Sequence, residues 1–362
     1  MSPVTSLPPH PRRASSLSKE RGIMPLWTDL IDPVELTQEA RIAADELEAQ
    51  KGSLARWLPS VEVADISIKV VKGENGLIEE AQFRAYDAEP EIAGSRGGES
   101  FIIELPALGQ KRPISEYQQL RNRNAGDGVM RASIVKHAKA VAQAIVSRME
   151  RQRGVALNTG KSTINDRRFK SDDDFGRDPG HNVTAASLWT SSTVSRLRDL
   201  EAWVDAYVDT NGREPGAILM SKRVFRALAA GDEFATILAN GSSRRATDEQ
   251  VRAVISGAGL PDIELYDRRT SAGLIIPDDR LLLLPEPGEP TAEEANELGA
   301  SYWGQTLTSM DESYGIAEVD QPGIVVGATR SESIPMIAQV ESDAIGLPIL
   351  ANANLSFVAK VL

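Results

Sequence analysis

The chain has no cysteine among its 362 residues. Disulfide bonds, zinc–thiolate sites and thiol nucleophiles are therefore excluded, and the composition fits a protein that is made and used in a reducing cytoplasm. Long apolar runs are also missing, because wholly aliphatic stretches such as 281–284 and 324–326 are far shorter than the ~20 residues of a membrane span. Residues 1–23 hold no apolar core stretch, which argues against a secretory signal. We therefore expect no association with a membrane.

Histidine is scarce as well. The three histidines, His10, His137 and His181, are widely spaced, and no two of them have metal-ligand spacing. The sequence also lacks the Gly-x-Ser-x-Gly elbow of many serine hydrolases. We therefore predict no catalytic residue, no cofactor-binding residue and no metal site, and we expect that the protein is not an enzyme.

One segment is similar to a phosphate-binding loop. Gly154 and Gly160 precede Lys161 and Ser162, but five residues separate the glycines, whereas the motif needs four. The segment also follows a predicted helix, while the motif follows a strand and opens a helix whose amides bind phosphate. We interpret it as a turn, with nucleotide binding as the alternative.

An acidic cluster lies just downstream. Its members are Asp172, Asp173, Asp174 and Asp178. Calcium prefers carboxylate oxygens, but the cluster lacks the spaced bidentate Glu of a calcium hand. We therefore predict a solvated acidic loop.

The chain is acidic overall, and its charged residues are unevenly distributed. Its net charge is −12, so it lacks the basic footprint of a dedicated nucleic-acid binder. In residues 24–120, 9 basic and 18 acidic side chains give −9, whereas in residues 121–170, 12 basic and 3 acidic side chains give +9. This basic block is the part of the pattern that needs an explanation.

Two helices are predicted in the first half of the chain. One opens with Pro33 at an early position and stops at Gly52. The other spans 129–153, where apolar residues at three- and four-residue steps draw one stripe, and Gly154 is predicted to end it. At ~25 residues it is about twice the usual helix length, which is typical of a structural spine.

Strand patterns lie between these helices. Alternating apolar residues predict strands at 61–70, 81–85 and 101–105, with a turn at 73–76 and a flexible glycine-rich tip at 93–98. Such a long β excursion has little core of its own, so we expect it to pack on something else.

From about residue 190 the pattern becomes mixed, which predicts an α+β protein. The predicted elements are helices at 194–208, 222–230 and 248–256 and strands at 217–220, 263–266, 281–284, 324–326, 336–340 and 357–361. The five tryptophans are scattered and are expected to be packing anchors.

Several phrases of the sequence resemble the major capsid proteins of tailed bacteriophages, in particular the lambda-like major head protein family. The start, Leu-Trp-Thr-Asp-Leu-Ile-Asp-Pro at 26–33, and the phrase at 51–59 are similar to capsid proteins from phages of actinobacteria. The phrase at 114–121 and the terminal segments at 347–354 and 358–362 are similar to the lambda-like family. The resemblance covers nearly the whole chain from Met24.

The resemblance implies the Hong Kong 97-type major capsid fold. The implied ranges are a disordered tail or mis-called start at 1–23, an N-terminal arm at 24–59, an extended β loop at 60–120, a peripheral domain with the spine helix at 121–189, an axial α/β domain at 190–320, and a return to the peripheral domain at 321–362. Because the resemblance begins at Met24, we expect translation to start there. The alternative is a genuine flexible tail, and the composition of residues 1–23 is that of a disordered segment in either case.

The implied function is structural. Copies would assemble into pentamers and hexamers of an icosahedral shell that encloses double-stranded DNA, contacted without sequence specificity. A scaffolding protein, a portal and decoration proteins are the implied partners, and the implied location is the virion, assembled in the bacterial cytoplasm. The alternatives are an encapsulin-type compartment shell and a phosphate-loop enzyme.

In the implied fold, the acidic extended loop of one subunit lies across the basic peripheral domain of the next. Arg121, Arg123, Lys136 and Lys139 are therefore the candidate intersubunit contacts. Facing attractive charges would set the register and speed of docking more than its affinity. The rival hypothesis is that these cations face the lumen and offset the charge of DNA.

Overall fold

The structure is a computed structural model that describes most of the chain. The described residues are 24–50, 52–72, 99–122, 126–167, 169–191, 194–231, 233–234, 246–290 and 294–362. The predicted tail at 1–23, turn at 73–76, strand at 81–85 and glycine-rich tip at 93–98 lie outside them, and so does Arg123.

The helices confirm the predicted α content. They are α1 (Pro33–Glu48), α2 (Glu116–Asn122), α3 (Asp127–Thr159), α4 (Arg196–Asn211), α5 (Lys222–Ala229), α6 (Asp248–Gly257) and the single turn α7 (Leu307–Met310). Short 3-10 turns cover Leu54–Arg56, Pro179–His181, Glu312–Tyr314, Glu318–Asp320 and Ala353–Leu355.

The strands of the described residues fall into two five-stranded sheets and three short pairs. They are β1 (Ser60–Glu62), β2 (Ser67–Lys72), β3 (Glu99–Glu104), β4 (Ala107–Ile114), β5 (Lys161–Asn165), β6 (Lys170–Asp174), β7 (Asn182–Thr184), β8 (Ala217–Met220), β9 (Asp262–Leu265), β10 (Arg269–Thr270), β11 (Gly273–Leu274), β12 (Arg280–Leu284), β13 (Gly299–Gly304), β14 (Val325–Arg330), β15 (Ala338–Leu350) and β16 (Phe357–Lys360).

The first sheet, called the long sheet below, is organised around β15. The first half of β15 pairs with β14 on one edge and β4 on the other, and its second half pairs with β13, which in turn pairs with β1. The sequence pattern predicted a strand at 336–340, of which only 338–340 belongs to β15. The prediction stopped short because beyond Val340 apolar residues no longer alternate with polar ones.

The second sheet, called the compact sheet, has the strand order β7-β16-β12-β8-β9. All four residues of β8 are buried, and so are the last four of β12, because helices and loops cover both faces of the sheet. The short apolar runs at 217–220 and 281–284 are therefore strands, as predicted, and the structure places both inside the sheet.

Helix α3 is longer than the sequence predicted, and Gly154 does not end it. The helix continues to Thr159, and Gly160 ends it in the left-handed conformation at φ 70°, where its N–H donates to the carbonyl of Ala156. Gly154 has a packing role instead, since a Cβ there would lie 2.3 Å from Cγ2 of Ile275. At ~1.5 Å per residue, the 33 residues span roughly 50 Å.

Two further predictions about local structure are wrong. The stretch 61–70 is not one strand but two, β1 and β2, which join different sheets. The acidic cluster is not a loop in its first part, because Lys170–Asp174 forms β6 against β5. Polar side chains are tolerated in β6 because its residues alternate between exposed and half-buried positions.

The buried apolar side chains form two clusters. One surrounds the compact sheet, and the other lies where α1 and α3 pack on the long sheet. Trp57, Trp189 and Trp303 are buried, as predicted for packing anchors, while Trp27 and Trp203 are half-buried.

The chain passes between the two sheets more than once. β13 lies in the predicted axial range but belongs to the long sheet, whereas β16 lies in the predicted peripheral return but belongs to the compact sheet. Each sheet therefore contains strands from both predicted ranges, 190–320 and 321–362.

Candidate intersubunit surface

The arm formed by β2 and β3 pairs with no other strand of the described residues, and its Ile103 and Ile68 pack against the core cluster of the compact sheet. The two strands pair with each other from Ser67–Glu104 to Lys72–Glu99, and at its base Leu105 donates to the carbonyl of Ile66 at 2.8 Å. Ile66 and Ile102 are exposed, the latter by 71%. A two-stranded hairpin is marginal on its own, so these apolar side chains suit a surface that another molecule covers.

The predicted contact cations lie on α2 and α3. Arg121 and Lys136 are exposed, while Lys139 is half-buried and its Nζ lies 2.8 Å from Oε2 of Glu39. The structure therefore describes three of the four predicted residues. One of the three, Lys139, already has a partner within the subunit.

Ion pairs between α1 and α3 account for part of the charge segregation. Besides Lys139, Arg131 pairs with Glu35 on α1, and both pairs are exposed enough to be worth only ~0–1 kcal/mol each. The acidic segment 24–120 thus meets the basic segment 121–170 inside one subunit, through two packed helices. This contact was not predicted.

Three basic side chains lie close together where β4 passes α3. The half-buried His137 has its pKa lowered, first by burial and then by the positive charges of Arg112 and Lys136. The cluster therefore favours neutral His137, and it favours an anionic partner for Lys136.

The outer face of α3 forms an open groove of about 660 Å³. Its lining residues lie on successive turns of one helix face and are Gly128, Arg131, Ala132, Val135, Lys136, Lys139, Ala140 and Gln143. Small residues in the middle and cations along the rims allow an extended chain to approach the helix closely, which suits an acidic strand.

A buried ionic network, called the joint below, connects the parts of the subunit. The carboxylate of Glu150 on α3 accepts hydrogen bonds from the backbone N–H of Leu54 at 2.9 Å, from the hydroxyl of Tyr266 at 2.9 Å and from the hydroxyl of Ser53 at 3.2 Å. Arg268 lies 3.3 Å away. Burial, with the negative charge of Glu150, raises the pKa of Tyr266.

Arg153 forms the other half of the joint and is fully buried. Its guanidinium donates to the hydroxyls of Ser301 at 2.8 Å and Ser60 at 2.9 Å, and it pairs with Glu48 at 2.8 Å and with Glu150 at 3.5 Å. A buried charge is tolerated only when it is paired and hydrogen-bonded, as here. The hydrogen bonds and ion pairs of the joint therefore connect α1, α3, the long sheet and the loop after β9 to one another.

Sequence reasoning missed the joint, although a signal was present. The apolar stripe of α3 continues from Met149 to Arg153 and from Val146 to Glu150 at four-residue steps. Charged residues on the buried stripe of a helix indicate a buried pair, but their partners come from distant segments that sequence spacing does not reveal.

The segment around Lys161 does not have the form of a phosphate loop. Residues 154–159 are helical, and Lys161 lies on β5 with its Nζ 2.9 Å from Oδ2 of Asp174. Among the described residues, no group of three or more His, Cys, Asp or Glu could hold a metal ion. In the same part of the chain, every helix is too short or too polar to cross a membrane.

His181 is the most buried of the described histidines. It packs against the rings of Tyr207 and Phe357, with centroids 6.0 and 5.2 Å away. Burial lowers its pKa, and the nearby charge of Asp178 opposes this shift. The ring therefore contributes to the core beside the compact sheet in its neutral form.

Comparison with known proteins agrees with this architecture. The family model for phage major capsid protein E matches residues 65–303. No curated protein matches the chain.

Two solved structures with a similar fold come from phage-related proteins. The chain is similar to a putative capsid protein of a prophage from E. coli CFT073, with 16% identity, a TM-score of 0.57 and coverage of 90% of this chain and 99% of that one. It is also similar to a phage-related protein from Bordetella bronchiseptica RB50, with 14% identity, a TM-score of 0.53 and coverage of 88% and 96%. At these identities the two likenesses describe the fold.

Proposed function

This chain belongs to the phage major capsid protein E family, and from that premise we propose that its copies form pentamers and hexamers of an icosahedral shell around double-stranded DNA. The protein is a phage capsid shell protein with the Hong Kong 97-type fold. Its place is therefore the virion, and we propose that assembly occurs in the bacterial cytoplasm.

The β2–β3 arm is the observation that supports assembly most directly. It exposes Ile66 and Ile102 and pairs only with itself among the described residues. Repeated contacts in a closed symmetric assembly would bury such an arm once per subunit. The outer face of α3 exposes Lys136 beside small side chains and so offers a cation to an acidic extended segment, while Arg131 and Lys139 are already paired with α1.

We assign the predicted domains to these elements. The N-terminal arm corresponds to 24–59, and the extended loop to 60–120 except β1 and β4, which belong to the long sheet. The peripheral domain corresponds to α3 with the long sheet. The axial domain corresponds to the compact sheet with its helices, so β13 and β16 exchange places relative to the predicted ranges.

Among the predicted contact cations, Arg121 and Lys136 are the ones to test. Lys139 already pairs with Glu39. If these cations dock an acidic partner segment, Arg121→Glu with Lys136→Glu should impair empty-shell assembly, most strongly at low salt, where the new repulsion is least screened. If they face DNA, empty shells should form normally and only packaging should fail. Lys139→Gln is the control, since it removes an intrasubunit pair.

Electron microscopy of the protein co-expressed with its scaffolding protein tests the proposed function. Closed hollow particles or ring-shaped capsomers are the expected result. A strictly monomeric species at high concentration, with the scaffolding protein present, would contradict it. Packaged DNA would distinguish a phage head from an encapsulin-type compartment, which would hold an enzyme as cargo.

A nucleotide-binding assay addresses the remaining alternative. We expect no difference in nucleotide binding between the wild type and Lys161→Ala, because Lys161 pairs with Asp174 on a β hairpin. Binding that Lys161→Ala abolishes would instead indicate a phosphate site.

A portal and decoration proteins are the further partners that we propose.

A further inference from the structure

The segment between β13 and β14, here called the acidic loop (305–321), has an unusual surface. Leu307 is 86% exposed, Val319 is 81% exposed, and Met310 is also exposed. The acidic side chains around them are Asp311, Glu312, Glu318 and Asp320, and the segment contains no Lys or Arg. A surface with exposed apolar side chains and charge of one sign is typical of a protein interaction site.

The acidic loop is held firmly in place. The hydroxyl of Thr308 donates to Asp343 on β15 at 2.7 Å, and the guanidinium of Arg41 on α1 donates to the carbonyls of Asp320 and Pro322, both at 2.8 Å. A capping box at Thr306 fixes its helical turn. The apolar side chains are therefore presented by an ordered segment, so a partner would lose little of their conformational freedom on binding.

A surface of complementary character lies on α2 of the same chain. Tyr117 is 71% exposed, and Leu120 and Arg121 are exposed as well. Their spacing of three and four residues places them on one face of the helix. This face, called the α2 face, combines apolar area with a cation. Two further cations, Arg112 on β4 and Lys136 on α3, lie near His137, where β4 passes α3.

The two surfaces lie at different positions along β15, the central strand of the long sheet. Ile114, two residues before α2, pairs with Ala338 at the start of β15. Thr308 of the acidic loop binds Asp343, five residues or roughly 17 Å further along that strand. A single copy therefore cannot bring the two surfaces together, but two copies side by side can.

We propose that the acidic loop of one copy docks on the α2 face of a second copy. Leu307, Met310 and Val319 would pack against Tyr117 and Leu120, while the carboxylates would face Arg121. Because the contact joins two different surfaces, each copy can bind one neighbour on either side. Such a head-to-tail contact forms a closed ring when the rotation between neighbouring copies adds up to a full turn. The inference rests on the proposed function and names one of its contacts, separate from the β2–β3 arm.

Cysteine cross-linking can test this contact directly, because the chain has no cysteine. A tagged Leu307→Cys copy and an untagged Leu120→Cys copy would be mixed under assembly conditions and treated with an oxidant. The matched control replaces Leu120→Cys by Ser256→Cys, on the exposed face of α6. We expect the first mixture to give severalfold more cross-linked dimer than the control or either single variant alone.

Charge reversal supplies a second readout. Asp311→Lys with Glu312→Lys, and separately Arg121→Glu, should each reduce the yield of capsomers. Mixing the two variant copies, or combining the changes in one chain, should restore part of that yield. Glu249→Lys on α6 is the control for a change of net charge, and it should have no effect.

The outcomes separate the contact from the proposed function. Normal wild-type particles together with background cross-linking overturn the contact and leave the shell function standing. A wild type that never associates overturns both. Specific cross-linking with partial rescue by the paired reversals supports both.

Discussion

The long sheet and the compact sheet are built on different apolar patterns. In the compact sheet, Leu281–Leu284 are all fully buried, because β12 lies at the centre and both of its faces are covered. In the long sheet, the first eight residues of β15 alternate between buried and half-buried. The compact sheet is therefore completed within the chain, whereas the long sheet keeps a polar face toward its surroundings.

This difference suits the functions of the two regions in a shell protein. The long sheet carries α1, α3, the β2–β3 arm and the acidic loop, and these elements present charged or apolar surface. Self-contained packing gives a region its own stability, and an incompletely covered region gains its stability from neighbours. The joint at Glu150 and Arg153 links the two.

The largest expected effect is at the joint. Arg153→Met would leave Glu150 and Glu48 buried with fewer partners, so it should lower the free energy of unfolding by ~3–5 kcal/mol. Arg131→Met is the control, because its pair with Glu35 is exposed and should cost only ~0–1 kcal/mol. Urea denaturation of the unassembled subunit measures both. Equal losses would show that the joint does not hold the two regions together.

A core substitution should distinguish the two sheets. Leu283→Ala removes a fully buried side chain from β12 and should cost ~2–5 kcal/mol. Gln339→Ala, on the half-buried face of β15, should change stability by less than ~0.5 kcal/mol. Thermal denaturation of the subunit compares them. A large loss at Gln339 would mean that the outer face of the long sheet is packed rather than open.

A smaller effect on stability is expected where α3 lies close to the loop at Ile275. Gly154→Ala should destabilise by ~1–3 kcal/mol, because the added Cβ would lie 2.3 Å from Cγ2 of Ile275, even though Ala favours a helix. Gly128→Ala, in the first turn of the same helix, meets no atom within 4 Å and should be neutral or stabilising. If both substitutions stabilise the protein, then helix propensity, and not packing against Ile275, determines the effect of an alanine at position 154.

The smallest effect concerns pH. Because burial holds the pKa of His181 below 6.5, its stabilising contribution is complete above pH 6.5 and is lost as the pH falls through the lowered pKa. His181→Phe should therefore weaken the fall in melting temperature between neutral and acidic pH. His137→Gln tests the long-sheet region, where the lowered pKa of a half-buried histidine should give a weaker dependence. An unchanged pH profile in His181→Phe would contradict the expectation.

Sequence patterns predicted well where one local interaction dominates. Continuous apolar runs identified β8 and β12, and the stripe on α3 identified the spine helix, because burial of an amphipathic face depends on residues close in sequence. The same reasoning failed at Gly154, where a glycine usually ends a helix, because the deciding contact comes from Ile275 more than 100 residues away.

The candidate surface was predictable only in part. The charge pattern predicted Arg121, Lys136 and Lys139 as contact residues, but it could not show that Lys139 and Arg131 pair with α1. It also gave no sign of the acidic loop. Exposure of Leu307 and Val319 depends on how the loop is fastened to Asp343 and Arg41, not on their immediate neighbours.

The sequence by itself determined the α+β class, the cysteine-free chemistry, the spine helix, most strands and the resemblance to phage capsid proteins. All of these depend on composition or on spacing over a few residues. Only the tertiary structure decided the interleaving of the two sheets, the joint at Glu150 and Arg153, and the separate positions of the acidic loop and α2 along β15. These features join segments that are far apart along the chain, and burial and pairing between such segments are set by the folded chain as a whole.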